Sequence, residues 1–127
     1  MNSTRKILFV DDNRIIRHLL RLTFAKLEGY QIFEAESADQ ALPLILYELP
    51  DIIVLDVMMP GEIDGFELCR IVKSWPECTN SKIILLSARS QEDDLEKGKV
   101  VGAEYYITKP FSPETLVNLV QKINLDL

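Results

Sequence analysis

Asp51-Ile-Ile-Val-Leu-Asp56-Val-Met-Met-Pro60 is the stretch that decides the fold. Ile52 to Leu55 form a short apolar run rich in β-branched residues, bounded by Pro50 on one side and Pro60-Gly61 on the other. An uninterrupted apolar run of this length predicts a strand buried on both faces, the habit of a parallel sheet. Asp56 stands where the run ends, at the carboxyl edge, where open α/β sheets place their ligands. A carboxylate buried there is costly unless something cationic meets it.

The same punctuation recurs outward in both directions. Lys6 to Val10 is an apolar run stopped by Asp11-Asp12-Asn13. Arg14 to Leu27 places Ile16, Leu19, Leu20, Thr23, Phe24 and Leu27 at helical spacing, with Asp12 or Asn13 available as N-cap and Gly29 beyond the end. Gln31 to Ala35 is a brief strand. Ser37 with Gln40 carries a capping-box pattern for a helix to about Tyr47, and Pro43 inside it predicts a kink or an irregular first half.

Beyond the central strand, Asp64 and Glu67 open a helix reaching about Lys73, and 76–81 reads as a loop. Lys82 to Leu86 is the fourth run, ended by Ser87. Ser90 with Asp93 marks the start of a polar, Gly98-containing helix to about Val101. Tyr105 to Thr108 is a fifth strand, and Ser112-Pro113 starts a last helix with Leu116, Leu119, Val120 and Ile123 on one face. Five strands alternating with five helices imply βαβ units with right-handed crossovers and a doubly wound parallel sheet covered on both faces.

The bulk numbers exclude several classes. With 127 residues, 47% of them hydrophobic, the chain is expected to form one domain with a substantial core. A formal net charge of -6 argues against a general nucleic-acid or anionic-membrane surface. No apolar run approaches the roughly 18 residues of a membrane span, and the N-terminus has no signal-peptide pattern. Cys69 and Cys78 are too few for a disulfide framework, and their spacing is not that of a zinc site. His18 lacks a neighbour at ligand spacing. A cytoplasmic location is expected.

Chemistry comes from where the polar residues fall. In a parallel sheet all strand ends share one edge, so Asp11, Asp12, Asp56, Ser87 and Lys109 collect there. Three carboxylates repel one another and one Lys cannot offset them all. A hard divalent cation with oxygen ligands can, and Mg²⁺ (or Mn²⁺) commonly combines one or two carboxylates with waters and a phosphate oxygen. An Asp in such a site can attack phosphorus, while a cation and Lys109 neutralise the transferring group.

Val10-Asp-Asp-Asn, Leu55-Asp-Val-Met-Met-Pro, Asp64-Gly, Leu86-Ser-Ala, Gly102-Ala and Tyr106-Ile-Thr-Lys-Pro-Phe111 together resemble the response-regulator receiver domain of bacterial two-component signalling, over essentially the whole chain. The resemblance implies a flavodoxin-like (βα)5 fold with strand order 2-1-3-4-5. It further implies that Asp56 accepts a phosphoryl group from a phosphohistidine on a sensor histidine kinase or a histidine phosphotransfer protein. Asp12, Asp56 and the main-chain carbonyl of Met58 would hold Mg²⁺, with Asp11 acting through water. Lys109, joined to Pro110 by a cis bond, would hold a phosphoryl oxygen. Ser87 and Tyr106 would be the switch residues, and the fourth helix, fifth strand and fifth helix the surface presented to a partner or output domain. Met58 and Arg89 occupy positions that in the family flank the attacking water. No output domain is expected within 1–127, and no turnover of a separate substrate.

Two features depart from the family pattern: the Pro60–Asp64 loop is one residue longer than usual, and a proline, Pro43, lies within the second helix. Rival functions fit less well. An FMN carrier of the same fold class would need a Gly/Ser/Thr-rich phosphate loop after the first strand, where Asp11-Asp12-Asn13 would repel phosphate. An aspartate-nucleophile phosphatase would want a second carboxylate at the position of Met58. A receiver fold used only for protein interaction would dispense with Asp12, Asp56 or Lys109, and all three are present.

Overall fold

The computed structural model of the protein describes residues 4–59, 61–88 and 92–125. Five strands alternate with five α-helices: β1 (Arg5–Val10), α1 (Arg14–Ala25), β2 (Tyr30–Ala35), α2 (Ala38–Glu48), β3 (Ile52–Asp56), α3 (Gly65–Lys73), β4 (Lys82–Ser87), α4 (Glu92–Val100), β5 (Tyr105–Thr108) and α5 (Pro113–Leu125). All pairings are parallel and the order is β2-β1-β3-β4-β5, as the resemblance implied. Among the described residues no helix is long and apolar enough to cross a membrane.

Strand alternation divides the core into two layers. Leu8, Val10, Ile53, Leu55, Ile83 and Leu85 face α2 and α3, while Ile7, Phe9, Ile52, Val54, Ile84 and Leu86 face α1 and α5. All five residues of β3 are buried, which is why Ile52 to Leu55 are apolar without interruption before Asp56. Burying each such side chain stabilises the fold by roughly 1.5–3 kcal/mol before conformational entropy is counted. Tyr105 and Tyr106 fall on opposite faces, Tyr106 against the α2/α3 layer.

Local capping sets where the helices begin. Asn13 Oδ1 accepts from the N–H groups of Ile15 and Ile16, Asp64 Oδ1 from Glu67, and Ser112 Oγ from Thr115. At α2, Ser37 Oγ accepts from the Gln40 N–H, but Gln40 Oε1 reaches back to the Glu36 N–H, one residue earlier than a reciprocal capping box requires. The helix then runs unbroken through Pro43 and closes at Leu49, held at φ 50°. A 3₁₀ turn, Pro76–Cys78, occupies the segment expected to be a loop. Leu19, expected on the buried face of α1, is 48% exposed, because it sits at the rim of the helical stripe whose centre is Leu20 and Phe24. Arg89 and Ser90, given a site position and a capping role by the sequence, lie outside the described residues, as does Pro60.

Candidate functional site

The carboxyl edge gathers the residues the sequence placed there. Asp11 follows β1 directly: its N–H continues the pairing to the Ala35 carbonyl (3.1 Å), and only 2% of the residue is exposed. Its Oδ1 accepts from the Asn13 N–H at 2.9 Å, and its Oδ2 faces Lys109 Nζ at 3.3 Å. Asp56 is the last residue of β3, 5% exposed, with Oδ1 accepting from the Met58 N–H (3.2 Å) and Oδ2 also 3.3 Å from Lys109 Nζ. Lys109 therefore bridges two buried carboxylates. Its own N–H donates to the Ser87 carbonyl at 2.6 Å, tying the ends of β4 and β5, and its bond to Pro110 is cis. Ser87 is fully buried at the end of β4. Asp12 and Met58 are exposed beside them.

Ligand atoms from Asp11, Asp12 and Asp56 lie within 4.8 Å of one another. Two carboxylates at that separation repel by about 3 kcal/mol at an effective dielectric near 20. Burial, and then the Asp11 charge, push the Asp56 carboxyl above its ordinary value, partly offset by the Met58 N–H and by Lys109. The donor set consists of hard anionic oxygens without nitrogen or sulfur, which fits Mg²⁺ or Mn²⁺ far better than a thiophilic metal. One such ion can touch more than one of these carboxylates at that spacing.

Gly65 matters to this site in a way the sequence did not reveal. Its N–H donates to the Val57 carbonyl (3.2 Å), and a Cβ there would overlap the Asp56 carbonyl oxygen and approach Val57 Cα to 2.6 Å. The start of α3 is thereby pressed onto the peptide that carries Asp56. Gly65 is not among the positive-φ glycines, so its requirement is steric and has no turn signature. The pairing of Asp64 with Gly65 was the one available clue.

The remaining candidates stay apart from the edge. Cys69 and Cys78 are buried free thiols. Burial pushes the Cys69 thiol up to about 12, and its Sγ contacts the Val101 carbonyl at 3.6 Å. Trp75 packs partly buried against the α2/α3 layer, and His18 is exposed.

A doubly wound sheet with an acidic trio and a bridging Lys at its carboxyl edge defines a class, and comparison with known proteins specifies it. Residues 7–121 match the response regulator receiver domain family, and the chain belongs to it. It is 42% identical over 113 residues, 89% of its length, to the phosphate regulon transcriptional regulatory protein PhoB of Pseudomonas aeruginosa; it spans about half (48%) of that relative. Among solved structures, chemotaxis protein CheY4 of Vibrio cholerae superposes with a TM-score of 0.87 at 32% identity, covering 94% of this chain and 98% of the other. A putative response regulator from Chloroflexus aurantiacus superposes at 0.86 with 35% identity, covering 95% and 98%. Residues 7–121 thus form a receiver domain of the two-component response-regulator family, a class that binds Mg²⁺ and works in signalling.

Proposed function

We propose that Asp56 is the phospho-acceptor of this receiver, taking its phosphoryl group from a phosphohistidine on a sensor histidine kinase or a histidine phosphotransfer protein. The observation that carries the reading is the buried Asp56 carboxylate at a strand end, one oxygen facing Lys109 and the group within ligand distance of Asp11 and Asp12. A divalent cation held by Asp12, Asp56 and the Met58 carbonyl, with Asp11 acting through water, would supply charge neutralisation for the incoming phosphoryl oxygens.

Asp56 forms the new O–P bond as the P–N bond to the donor imidazole breaks. Lys109 moves its interaction from the carboxylates to a phosphoryl oxygen. Ser87, the residue after Leu86, which pairs with Asp56 across β3 and β4, bonds the phosphoryl group. Tyr106 then changes position, and the α4–β5–α5 surface carries the signal to an output domain or target. The close seat of α4 supports that route: a Cβ on Gly98 would lie 3.4 Å from Tyr106 Cδ2. In this reading 1–127 acts in the cytoplasm as one phospho-acceptor unit, catalysing only its own phosphorylation and dephosphorylation.

Intact mass after incubation with acetyl phosphate, with and without Mg²⁺, tests it. Gain of one phosphoryl group is expected only with Mg²⁺, and none in Asp56→Asn. An unmodified parent alongside a control receiver that labels would leave an interaction module instead.

A further inference from the structure

Asp12 is the exposed member of the acidic trio, and among the described residues no hydrogen bond or ion pair holds its side chain. Asp11 and Asp56, by contrast, are each fixed by a backbone N–H and by Lys109. The place of the Asp12 carboxylate is therefore set by its backbone. Among the described residues the peptide joining Asp11 to Asp12 has one side-chain anchor: Arg17 Nη1, one turn into α1, donates to the Asp11 carbonyl at 2.6 Å. Only 12% of the Arg17 side chain is exposed, and its Nε is held from the far side by Glu34 Oε1 of β2 at 3.3 Å. Arg21 pairs with the other oxygen of Glu34, so the anchor is itself anchored.

We infer that Arg17 is a positioning residue for the metal site: by clamping the Asp11–Asp12 peptide against α1 and Glu34 it fixes where the Asp12 carboxylate stands. The inference rests on the reading of this edge as a divalent-cation site. Groups that orient ligands without touching the metal typically govern affinity by about 10–100-fold. Arg17 works through geometry and against its own charge, since a cation near a metal site opposes binding. That opposition of signs makes the idea testable.

Arg17→Gln and Arg21→Gln each delete one positive charge and one partner of Glu34, but only the first releases the Asp11 carbonyl. Equilibrium Mn²⁺ binding to the full chain, read from the free-ion electron paramagnetic resonance signal without phosphodonor, should weaken about tenfold in Arg17→Gln. Arg21→Gln should bind as tightly as the parent or more tightly, as the Coulomb effect alone dictates. Acetyl phosphate labelling should show the same split: the half-saturating Mg²⁺ concentration rises in Arg17→Gln, while the rate at saturating Mg²⁺ stays within about twofold of the parent.

Binding by Arg17→Gln equal to the parent, or parallel changes in both variants, would overturn the inference. If Arg17→Gln loses cooperative unfolding, Arg17→Lys against Arg21→Lys makes the same comparison at constant charge, with weaker binding only in the former expected and equal binding contradicting it. A folded parent that binds no Mn²⁺ would overturn the metal reading itself, and this inference with it.

Discussion

The two edges of the sheet use the same residue types to opposite ends. At the amino edge Asp51, Glu48 and Glu104 each meet a donor. Asp51 Oδ2 accepts from the Lys6 N–H (2.8 Å), Glu48 pairs with Lys6 Nζ (3.2 Å), and Glu104 Oε1 takes the Ile83 N–H (2.7 Å) while its other oxygen pairs with Lys73. The Ser81 hydroxyl donates to the Pro50 carbonyl (2.6 Å) and Lys73 to the Ser81 carbonyl (2.8 Å). These bonds cap strands and complete themselves within the protein. At the carboxyl edge Asp11 and Asp56 share one ammonium, and Asp12 stands beside them without one. Polar groups that satisfy one another stabilise a fold, whereas charge left unbalanced is completed by a ligand.

Substitutions at each edge should therefore differ in kind. The largest effect is expected from Gly65→Ala, which removes no carboxylate but drives a methyl into the Asp56–Val57 peptide. It should lower unfolding free energy in urea by about 2–4 kcal/mol and abolish phosphoryl uptake by intact mass, because the Asp56 backbone must move. Glu104→Ala sharpens the contrast from the other side. Leaving the Ile83 N–H and Lys73 without this partner should cost about 1–2 kcal/mol in the same titration, with Mg²⁺-dependent uptake unchanged.

The smallest effect has the opposite sign. In metal-free buffer Asp56→Asn should raise the melting temperature by a few °C near pH 7. Burial and Asp11 raise the folded-state value of Asp56, so the native state holds that proton more tightly than the unfolded chain. The parent accordingly loses stability as pH climbs from the ordinary carboxylate value of about 4 through the raised folded value. The gap between variant and parent should close as pH falls below about 4, where Asp56 is protonated in both states. Melting curves across that range would show a constant gap if burial were irrelevant.

Much of this was legible in the chain because it depends on local chemistry. Apolar runs ended by Asp56, Asp11 and Ser87 gave strands with polar ends, and Asn13, Ser37, Asp64 and Ser112 gave helix starts. What escaped is contact between segments distant in the fold. Gly65 looks like any N-terminal helix residue until α3 is laid on the Asp56 peptide. Arg17 reads as one of several arginines on a solvated helix face, and its bond to the Asp11 carbonyl exists only once Glu34 of β2 pulls it across. Leu19 is exposed for a related reason: helical spacing gives a direction, not the width of the surface that covers it.

A Mg²⁺ titration of the metal-free protein followed by backbone amide NMR shifts compares the two edges in a single experiment. Saturable shifts should appear at 11–13, 56–59, 87–88 and Lys109, with Lys6, Asp51, Ile83 and Glu104 unmoved. Shifts of similar size at both edges, or none at either, would contradict the assignment of the unbalanced charge at the carboxyl edge to a divalent-cation site.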